Sequence, residues 1–226
     1  MKPRHILWPS ALAFVPVTPA WAQDDFQQWL TLSARIDPSE TLALQNEAVA
    51  RFSDGDGGLY EIENATMLGF KVGKTVALWA GYVHNPQYDA GEFTVMERRA
   101  REQITIDNFA SIGPAQVSAR LRLEQRWRDG VSGTAWRARP YVKVGVPLGG
   151  ETAPLFNLTA EPFINLDTTG FQTAEGLERV RSAASLTIPV GKALKVEAGY
   201  LNQHRFVRNG PDTDDHALTV ALGFSF

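Results

Sequence analysis

The sequence predicts an all-β protein, an antiparallel transmembrane β-barrel of about 10–12 strands with short periplasmic turns and longer extracellular loops. Three observations lead to this fold class. Apolar and polar residues alternate with a period of two through most of the chain, whereas helical spacing with capping signals is scarce. Short connections alternate with longer, acidic and glycine-rich ones, which is typical of such barrels. The last segment, "HALTVALGFSF", is an alternating strand that ends on Phe226.

The first residues, "MKPRHILWPSALAFVPVTPAWAQ", have the pattern of a secretory signal peptide. A basic start is followed by a mainly apolar stretch over 6–15 and by the small residues of "AWA" at 20–22. The apolar stretch is too short to span a bilayer as a helix. We therefore predict a cleaved signal peptide over 1–22 and a single domain over 23–226, exported to the bacterial cell outer membrane.

Composition excludes several classes of protein. The chain has 22 basic and 25 acidic residues, and removal of Lys2 and Arg4 with the signal peptide leaves a formal charge of −5. This balance argues against a nucleic-acid partner. The chain has no cysteine, so an exported domain of this sequence is held together without disulfides. No later stretch approaches the roughly 20 apolar residues of a spanning helix, so a membrane protein with this sequence is a barrel.

Candidate strands follow one another from the start of the mature chain to its end. They lie near 26–36, 41–52, 59–71, 75–85, 94–107, 115–128, 135–146, 155–167, 175–188, 193–206 and 215–226. The connections "IDPSE", "VGK" and "PVGKA" are tight, and "NFASIGPA" and "PLGGETAP" fall on the same side. The opposite side carries "SDGDGGL", "NPQYDAGE", "RDGVSG", "DTTGFQTAEG" and "VRNGPDTDD". This sorting places short turns on one rim and longer polar loops on the other.

The segment "RLRLEQRW" at 120–127 shows how the faces divide. Successive side chains of a strand point to opposite faces, so Leu121, Leu123 and Trp127 share the face predicted to meet lipid. The opposite faces of this and other strands carry the predicted lumen charged cluster, which comprises Arg99, Arg101, Arg120, Arg122, Glu124, Arg126, Arg137, Arg139, Glu161, Arg179 and Arg181. We expect Glu97, Glu124, Glu161, Asp107 and Glu197 to interleave with these arginines, because like charges across a strand pair are destabilising.

Four aromatic residues are placed as a membrane girdle would require. Trp127 and Trp136 flank the loop "RDGVSG" on the apolar face, and Phe224 and Phe226 lie at the opposite rim. The final strand also resembles the closing strand of bacterial outer-membrane barrels, in which the terminal residue is part of the assembly signal. This resemblance implies the barrel-assembly machinery as a partner, besides outer-membrane lipid and lipopolysaccharide.

A soluble β-sandwich is the competing interpretation of the same strands. The wet faces of a sandwich normally mix lysine, glutamate, threonine and serine, and a sandwich has no reason to sort its loops by length. Two features fit the barrel poorly. Arg98 and Glu102 fall on the lipid face, which requires a bulge or a position outside the hydrocarbon. Eleven segments also conflict with the even number usual in bacterial barrels, so we expect 10 or 12 strands.

Five short segments occur in an order that resembles one bacterial family. They are "EQITI" at 102–106, "RLRLEQRW" at 120–127, "WRARPYV" at 136–142, "AEPFINL" at 160–166 and "EAGYLNQHR" at 197–205. With them the chain is similar to the family called domain of unknown function 2490, over essentially the whole mature chain. The resemblance implies an exported outer-membrane β-barrel. It implies no catalytic residues, because the family has no established activity.

Few residues offer catalytic or metal chemistry. Asn202 and His204 share one face of a strand, as in outer-membrane Ser/His lipid hydrolases, but no serine lies near His204 in that strand. A lipid hydrolase or deacylase is therefore the alternative function. "SDGDGG" at 53–58 and "DTDD" at 212–215 lack the full ligand series of a calcium loop. We predict no metal, no cofactor and no catalytic site.

The charged lumen is the remaining candidate site. If its charges pair, they fill a narrow barrel and give it a structural or envelope role, and bidentate arginine suits such buried pairs. If arginine is in excess, the lumen forms a narrow anion-preferring channel for a small solute or anion. A barrel of this size is near the limit at which side chains fill the interior, so we favour the filled lumen.

Overall fold

A computed structural model describes residues 25–150 and 153–226, and the predicted signal peptide over 1–22 lies outside this part of the chain. Every regular element in these residues is a strand. The strands are β1 (Asp25–Ile36), β2 (Leu42–Ser53), β3 (Gly58–Val72), β4 (Val76–Asp89), β5 (Glu92–Ile112), β6 (Ala115–Arg128), β7 (Ala135–Pro147), β8 (Leu155–Asn165), β9 (Gly176–Val190), β10 (Leu194–Arg205) and β11 (Thr213–Ser225). Over the same residues, no helix has the length and apolar character needed to cross a membrane.

The strands form one closed barrel in which each strand pairs with its sequence neighbours and β1 pairs with β11. This confirms the predicted all-β barrel. The expectation of 10 or 12 strands is wrong, since the described residues contain eleven. Neighbours in sequence alternate in direction, so an odd number leaves β1 and β11 running the same way. They close the barrel as a parallel pair, in register from Asp25 with Asp215 to Arg35 with Ser225.

The connections divide between two rims as predicted, but their lengths overlap, since the loop rim has two residues after β4 and the turn rim has seven after β7. The loop rim carries the connections after β2, β4, β6, β8 and β10, and the turn rim carries those after β1, β3, β5, β7 and β9. Two connections are shorter than predicted because their strands run on. Much of "NPQYDAGE" is strand, which leaves a turn at Ala90 and Gly91, and β5 continues to Ile112 through most of "NFASIGPA". Asn108 adopts φ 48° in β5, where the register with β6 shifts between Ile106 and Ala110.

The faces of the strands divide as the alternation predicts. Leu121 is 53% exposed on the outside, whereas its neighbours Arg122 and Glu124 are buried inside. The outward face of the barrel is a belt of large apolar side chains that includes Leu30, Leu32, Leu68, Phe70, Leu78, Leu121, Val142, Leu158, Ile188, Leu218, Val220 and Leu222. The interior instead holds arginine, glutamate and amide side chains. The barrel therefore has a polar core and an apolar surface, the reverse of a soluble protein.

The two residues that fit the barrel poorly lie on its outer face without a bulge between them. Arg98 is opposite Trp127 and forms an ion pair with Asp129 in the connection after β6, at the loop rim. Glu102 is opposite Leu123 and accepts a hydrogen bond of 3.4 Å from Gln125. The sequence led us to expect a bulge at these residues or a position outside the hydrocarbon. The register shift of β5 with β6 lies beyond Ile106, so the bulge is not at these residues, and only Arg98 lies at a rim.

Candidate functional site: the charged lumen

Rows of charge cross the inside of three neighbouring strands. The register aligns Arg101 of β5 with Glu124 of β6, and Glu124 with Arg137 of β7. The next row toward the turn rim contains Gln103, Arg122 and Arg139, all amide or cationic. Opposite charges across strands are stabilising, and like charges need a carboxylate nearby. The arrangement therefore depends on where the glutamates point.

Glu124 gathers three arginines around one fully buried carboxylate. Arg101 donates from Nε and Nη2 to Oε1 at 3.1 and 2.8 Å, and Arg137 donates from Nε and Nη2 to Oε2 at 3.0 and 2.6 Å. Arg139 adds a bond of 2.9 Å from Nη1 to Oε1. Arg101 and Arg137 each bring two guanidinium nitrogens to one carboxylate oxygen, a planar arrangement of donors that lysine lacks. These contacts satisfy the acceptors of a charge that has no access to water.

Three further glutamates extend this arrangement around the barrel. Glu97 pairs with Arg99, Arg126 and Arg128, and Glu161 pairs with Arg120 and Arg139. Glu63 of β3 lies 2.8 Å from Arg101, across β4. We call these charges the ion-pair layer, made of Glu63, Glu97, Glu124 and Glu161 with Arg99, Arg101, Arg126, Arg137 and Arg139. The layer joins strands that are not neighbours in the sheet.

Glu63 reaches Arg101 across β4, on which Gly81 stands opposite Arg101. The inward row joins Met67 of β3, Gly81 of β4 and Arg101 of β5. A Cβ atom at Gly81 would lie 2.2 Å from the carbonyl oxygen of Thr66, so only glycine fits this position. Glycine at position 81 thus lets β3 and β4 approach closely near the ion pair of Glu63 and Arg101.

Aromatic rings sit among the arginines on the other side of the lumen. Phe163 of β8 is buried, and the guanidinium carbon of Arg139 lies 4.2 Å from its ring centre. Arg181 lies between two rings, 4.6 Å from Phe163 and 4.5 Å from Trp29. Cations over aromatic faces are attracted by the ring quadrupole. Arg181 is therefore stabilised without a carboxylate from the described part of the chain, and its Nε donates to Gln203 at 2.7 Å.

The ion-pair layer separates two cavities. The loop-side cavity, of about 810 Å³, is lined by Arg51, Glu61, Arg179, Arg181 and Arg205 together with the loop-side face of the layer. The turn-side cavity, of about 520 Å³, is lined by Gln103, Arg120, Arg122, Tyr141 and Lys143 among others. Arg101 lines only the turn-side cavity, and Arg99 only the loop-side one. The lumen is thus interrupted by paired charge.

All eleven residues of the predicted lumen cluster lie inside the barrel. Arg99, Arg101, Arg122, Glu124, Arg126, Arg137, Arg139 and Glu161 are buried, and Arg120, Arg179 and Arg181 are half-buried. Of the acids expected to interleave, Asp107 and Glu197 form no ion pair with any described residue and line the turn-side cavity instead. The prediction missed Arg51, Glu61, Glu63 and Trp29, although Glu61 and Glu63 stand two apart in a recognised strand.

The four predicted girdle residues lie on the outside at the two ends of the barrel. Trp127 donates from Nε1 to Thr134 Oγ1 at 2.9 Å, and Trp136 follows on the next strand near the loop rim. Phe224 and Phe226 stack at the turn rim with ring centres 6.4 Å apart. The backbone N–H of Phe226 also donates to Arg35 O at 2.9 Å, which ties the end of the chain to β1.

A second polar group lies outside, near the loop rim. His204 Nδ1 is 3.2 Å from the Asp214 carboxylate, and Asn202 donates to the same carboxylate at 3.0 Å. The register also places Ser182 of β9 opposite Asn202, a proximity that sequence spacing does not reveal. Nε2 of His204 is 3.5 Å from Asp212 rather than bonded to a serine, and Ser182 makes no side-chain hydrogen bond to a described residue. Among the described residues, His204 is thus held by two aspartates and bonds to no serine, unlike the histidine of a Ser/His pair.

Metal ligands do not converge in the described part of the chain, where no group of three or more His, Cys, Asp or Glu side chains has the geometry to hold an ion. The acidic segment at 53–58 instead forms the connection between β2 and β3. There Asp25 accepts hydrogen bonds from Ser53 Oγ at 2.7 Å and from the Gly55 N–H at 3.1 Å. The Asp25 carboxylate thus stabilises the connection between β2 and β3.

Comparison with known proteins identifies the family. A model described as protein of unknown function (DUF2490) matches residues 26–214. An uncharacterized protein of Methylorubrum extorquens is 30% identical over 182 residues, which cover 78% of this chain and 77% of that protein. The siderophore receptor PirA from Pseudomonas aeruginosa aligns with 76% of this chain at 15% identity and a TM-score of 0.28, and the chain spans 35% of that receptor. The family model confirms the resemblance found in the sequence, and the chain belongs to the DUF2490 family.

Proposed function

We propose that this protein is a bacterial outer-membrane β-barrel with an envelope role and a lumen that is closed at rest. The closed sheet leaves no unpaired edge, as a membrane requires of a β-protein. The apolar belt and the aromatic residues at its two ends match the surface that such barrels present to lipid. Outer-membrane lipid and lipopolysaccharide are the partners that this surface suits.

The closed lumen is inferred from one observation, the burial of the ion-pair layer. Glu97 and Glu124 are 0% exposed, and Arg101 is 1% exposed. Each of these charges is held by further charged side chains from β3, β5, β6 or β7. An ion that crosses the barrel has to separate buried pairs, which is costly because each charge left unpaired is desolvated.

Planar lipid bilayers test this proposal. We expect the wild-type protein to show no conductance steps, and R101A/E124A to conduct because it removes two charged side chains from the layer. The matched control is R98A/D129A, which deletes an ion pair at the loop rim and is expected to stay silent. Heat-modifiable migration on gels checks that every variant is a folded barrel. Discrete conductance steps from wild-type protein contradict the proposal.

A narrow anion-preferring channel is the second candidate, and the lining of the loop-side cavity favours it. Nine arginines and six carboxylates line this cavity, so its formal charge is positive. A positive field of this kind selects anions in a pore. In this case wild-type protein conducts with anion preference, and Arg122→Glu, which acts in the turn-side cavity of the same lumen, reduces that preference.

We also propose that the C-terminal strand engages the barrel-assembly machinery after cleavage of the signal peptide. Phe226 is 73% exposed at the turn rim, where a partner has access to it. Deletion of Phe226 is expected to lower the amount of heat-modifiable protein in outer-membrane fractions. Equal amounts of the wild-type and truncated proteins contradict this role. Sequencing of the mature N-terminus tests cleavage after Ala22.

A further inference from the structure

Arg122 differs from the other arginines of the lumen in what surrounds it. Most of them have a carboxylate within 4.0 Å, and Arg181 lies between two aromatic rings. Arg122 has neither kind of partner among the described residues. The hydrogen bond that it makes runs from Nε to Gln103 Oε1 at 2.9 Å, which leaves its terminal nitrogens without an acceptor. Its side chain is nevertheless buried, with 8% exposure.

The register explains why no carboxylate reaches Arg122. Its row contains Gln103 on one side and Arg139 on the other. Glu161, two strands away on β8, is already shared by Arg120 and Arg139. A buried cation without a counter-charge is costly, because it has lost water without gaining a partner. An external anion is the partner that removes this cost.

The turn-side cavity gives such an anion a place beside Arg122. It has a volume of about 520 Å³, within the range of small-molecule sites. Tyr141 lies one row toward the turn rim, opposite Arg120, and Lys143 lies one row further, opposite Ser118. Lys195, exposed on β10, lines the same cavity. Cationic and hydroxyl groups thus lead from the rim to Arg122.

The cavity also contains carboxylates, and their positions decide where an anion binds. Glu47, Asp107 and Glu197 line it, and none lies within 4.0 Å of a guanidinium nitrogen of Arg122. Glu197 accepts a hydrogen bond of 2.6 Å from Thr187. These three carboxylates balance Lys143, Lys195 and Arg122 in number, but none of them contacts Arg122 at the inner end of the cavity.

We propose that the turn-side cavity binds a small oxyanion, a carboxylate or a phosphate, through the terminal nitrogens of Arg122. The guanidinium presents parallel N–H groups that match two oxygens of either anion, and Gln103 fixes its orientation through Nε. On the side of the turn rim, Tyr141 and Lys143 of β7 also line the cavity, one and two rows from Arg122. The proposed binding does not depend on whether the lumen conducts, and Arg122 is not a member of the ion-pair layer, although Arg101 of that layer borders the same cavity.

Calorimetric titration of the purified full-length barrel in detergent tests the proposal, with sodium phosphate and sodium succinate as separate probes at low ionic strength. We expect wild-type protein to bind at least one probe. Arg122→Met is expected to weaken that binding at least about tenfold, because a charge-assisted forked contact is lost. Arg122→Lys keeps the charge but not the parallel N–H groups, so its affinity for the probe is expected to lie between those of the wild type and Arg122→Met. The matched control is Lys192→Met, which removes an exposed charge at the same rim, outside the cavity, and leaves binding unchanged.

The folding of the variants can be checked independently. Arg122→Met breaks no ion pair, so its heat-modifiable migration is expected to match the wild type in anion-free buffer. Arg122→Gln serves as a second variant if methionine prevents folding. Three results overturn the proposal: no binding of either probe to wild-type protein, equal binding to Arg122→Met, or loss of binding in Arg181→Met with binding intact in Arg122→Met. Preference for phosphate or for succinate identifies which oxyanion the site accepts.

Discussion

Replacement of Glu124 by glutamine removes one charge from the ion-pair layer and almost no volume. In the wild type this carboxylate accepts five hydrogen bonds from three arginines and is fully buried. The glutamine keeps one acceptor oxygen, but three buried cations lose the counter-charge that they share. Breaking a buried ion pair from one side typically costs about 3–5 kcal/mol. We expect Glu124→Gln to lower the free energy of unfolding by that amount.

The assay is equilibrium unfolding in urea, with the fraction of folded barrel read from heat-modifiable migration on gels. The control is Glu197→Gln, because Glu197 lines the lumen but pairs with no cation in the described residues. Its loss is expected to stay within about 1.5 kcal/mol, the usual contribution of one hydrogen bond. A loss below about 1 kcal/mol for Glu124→Gln contradicts the argument that this charge holds the layer together.

A double variant tests why Glu124→Gln is destabilising. Either an attraction is lost, or buried cations are left without a counter-charge. If the cost of Glu124→Gln comes from cations left without a partner, removal of one of them relieves it. We expect E124Q/R137M to unfold at a higher urea concentration than Glu124→Gln alone. If the second substitution instead adds to the destabilisation, Arg137 is stabilised mainly by its other contacts, such as the Phe163 ring at 5.0 Å.

Two further predictions concern the outer face and the close approach of strands. Leu121→Arg places a charge in the apolar belt and is expected to destabilise the barrel in a bilayer by about 2–4 kcal/mol. The control Leu148→Arg lies beyond the end of β7 and is expected to cost little. Equal losses of stability in urea titrations of the two liposome-inserted variants contradict a membrane-embedded belt. Gly81→Ala drives a Cβ against Thr66 O and is expected to lower the yield of heat-modifiable protein, whereas Gly150→Ala meets open space and folds normally; equal yields contradict the packing argument.

The alternation of residues determined the strands and their faces before any tertiary information. The predicted segments agree with the eleven strands to within a few residues at most ends. Leu121 faces outward and Glu124 inward because the two-residue period of a strand is a local property of the backbone. The same local rule misjudged β4 and β5, whose polar ends "NPQY" and "NFASI" continue as strand because neighbouring strands supply hydrogen-bond partners.

Other features depend on contacts between distant parts of the chain. The parallel pairing of β1 with β11 follows from the number of strands that the barrel needs to close, which no single segment encodes. Ser182 lies opposite Asn202 only because of the register between β9 and β10. A shift of that register by two residues would leave every side chain on the same face of the sheet, but it would place other residues opposite Asn202 and Ser182.

The sequence by itself therefore determined the fold class, the apolar exterior and the charged interior, since each follows from the order of residues within a strand. The tertiary structure decided how those interior charges are shared. Glu63 meets Arg101 although 38 positions separate them in the chain. Arg122, in the segment "RLRLEQRW" beside Glu124, has no carboxylate partner among the described residues. Alternation assigns a side chain to a face, but register and barrel closure select its partner, and that partner decides whether an arginine closes the lumen or is left to bind an anion.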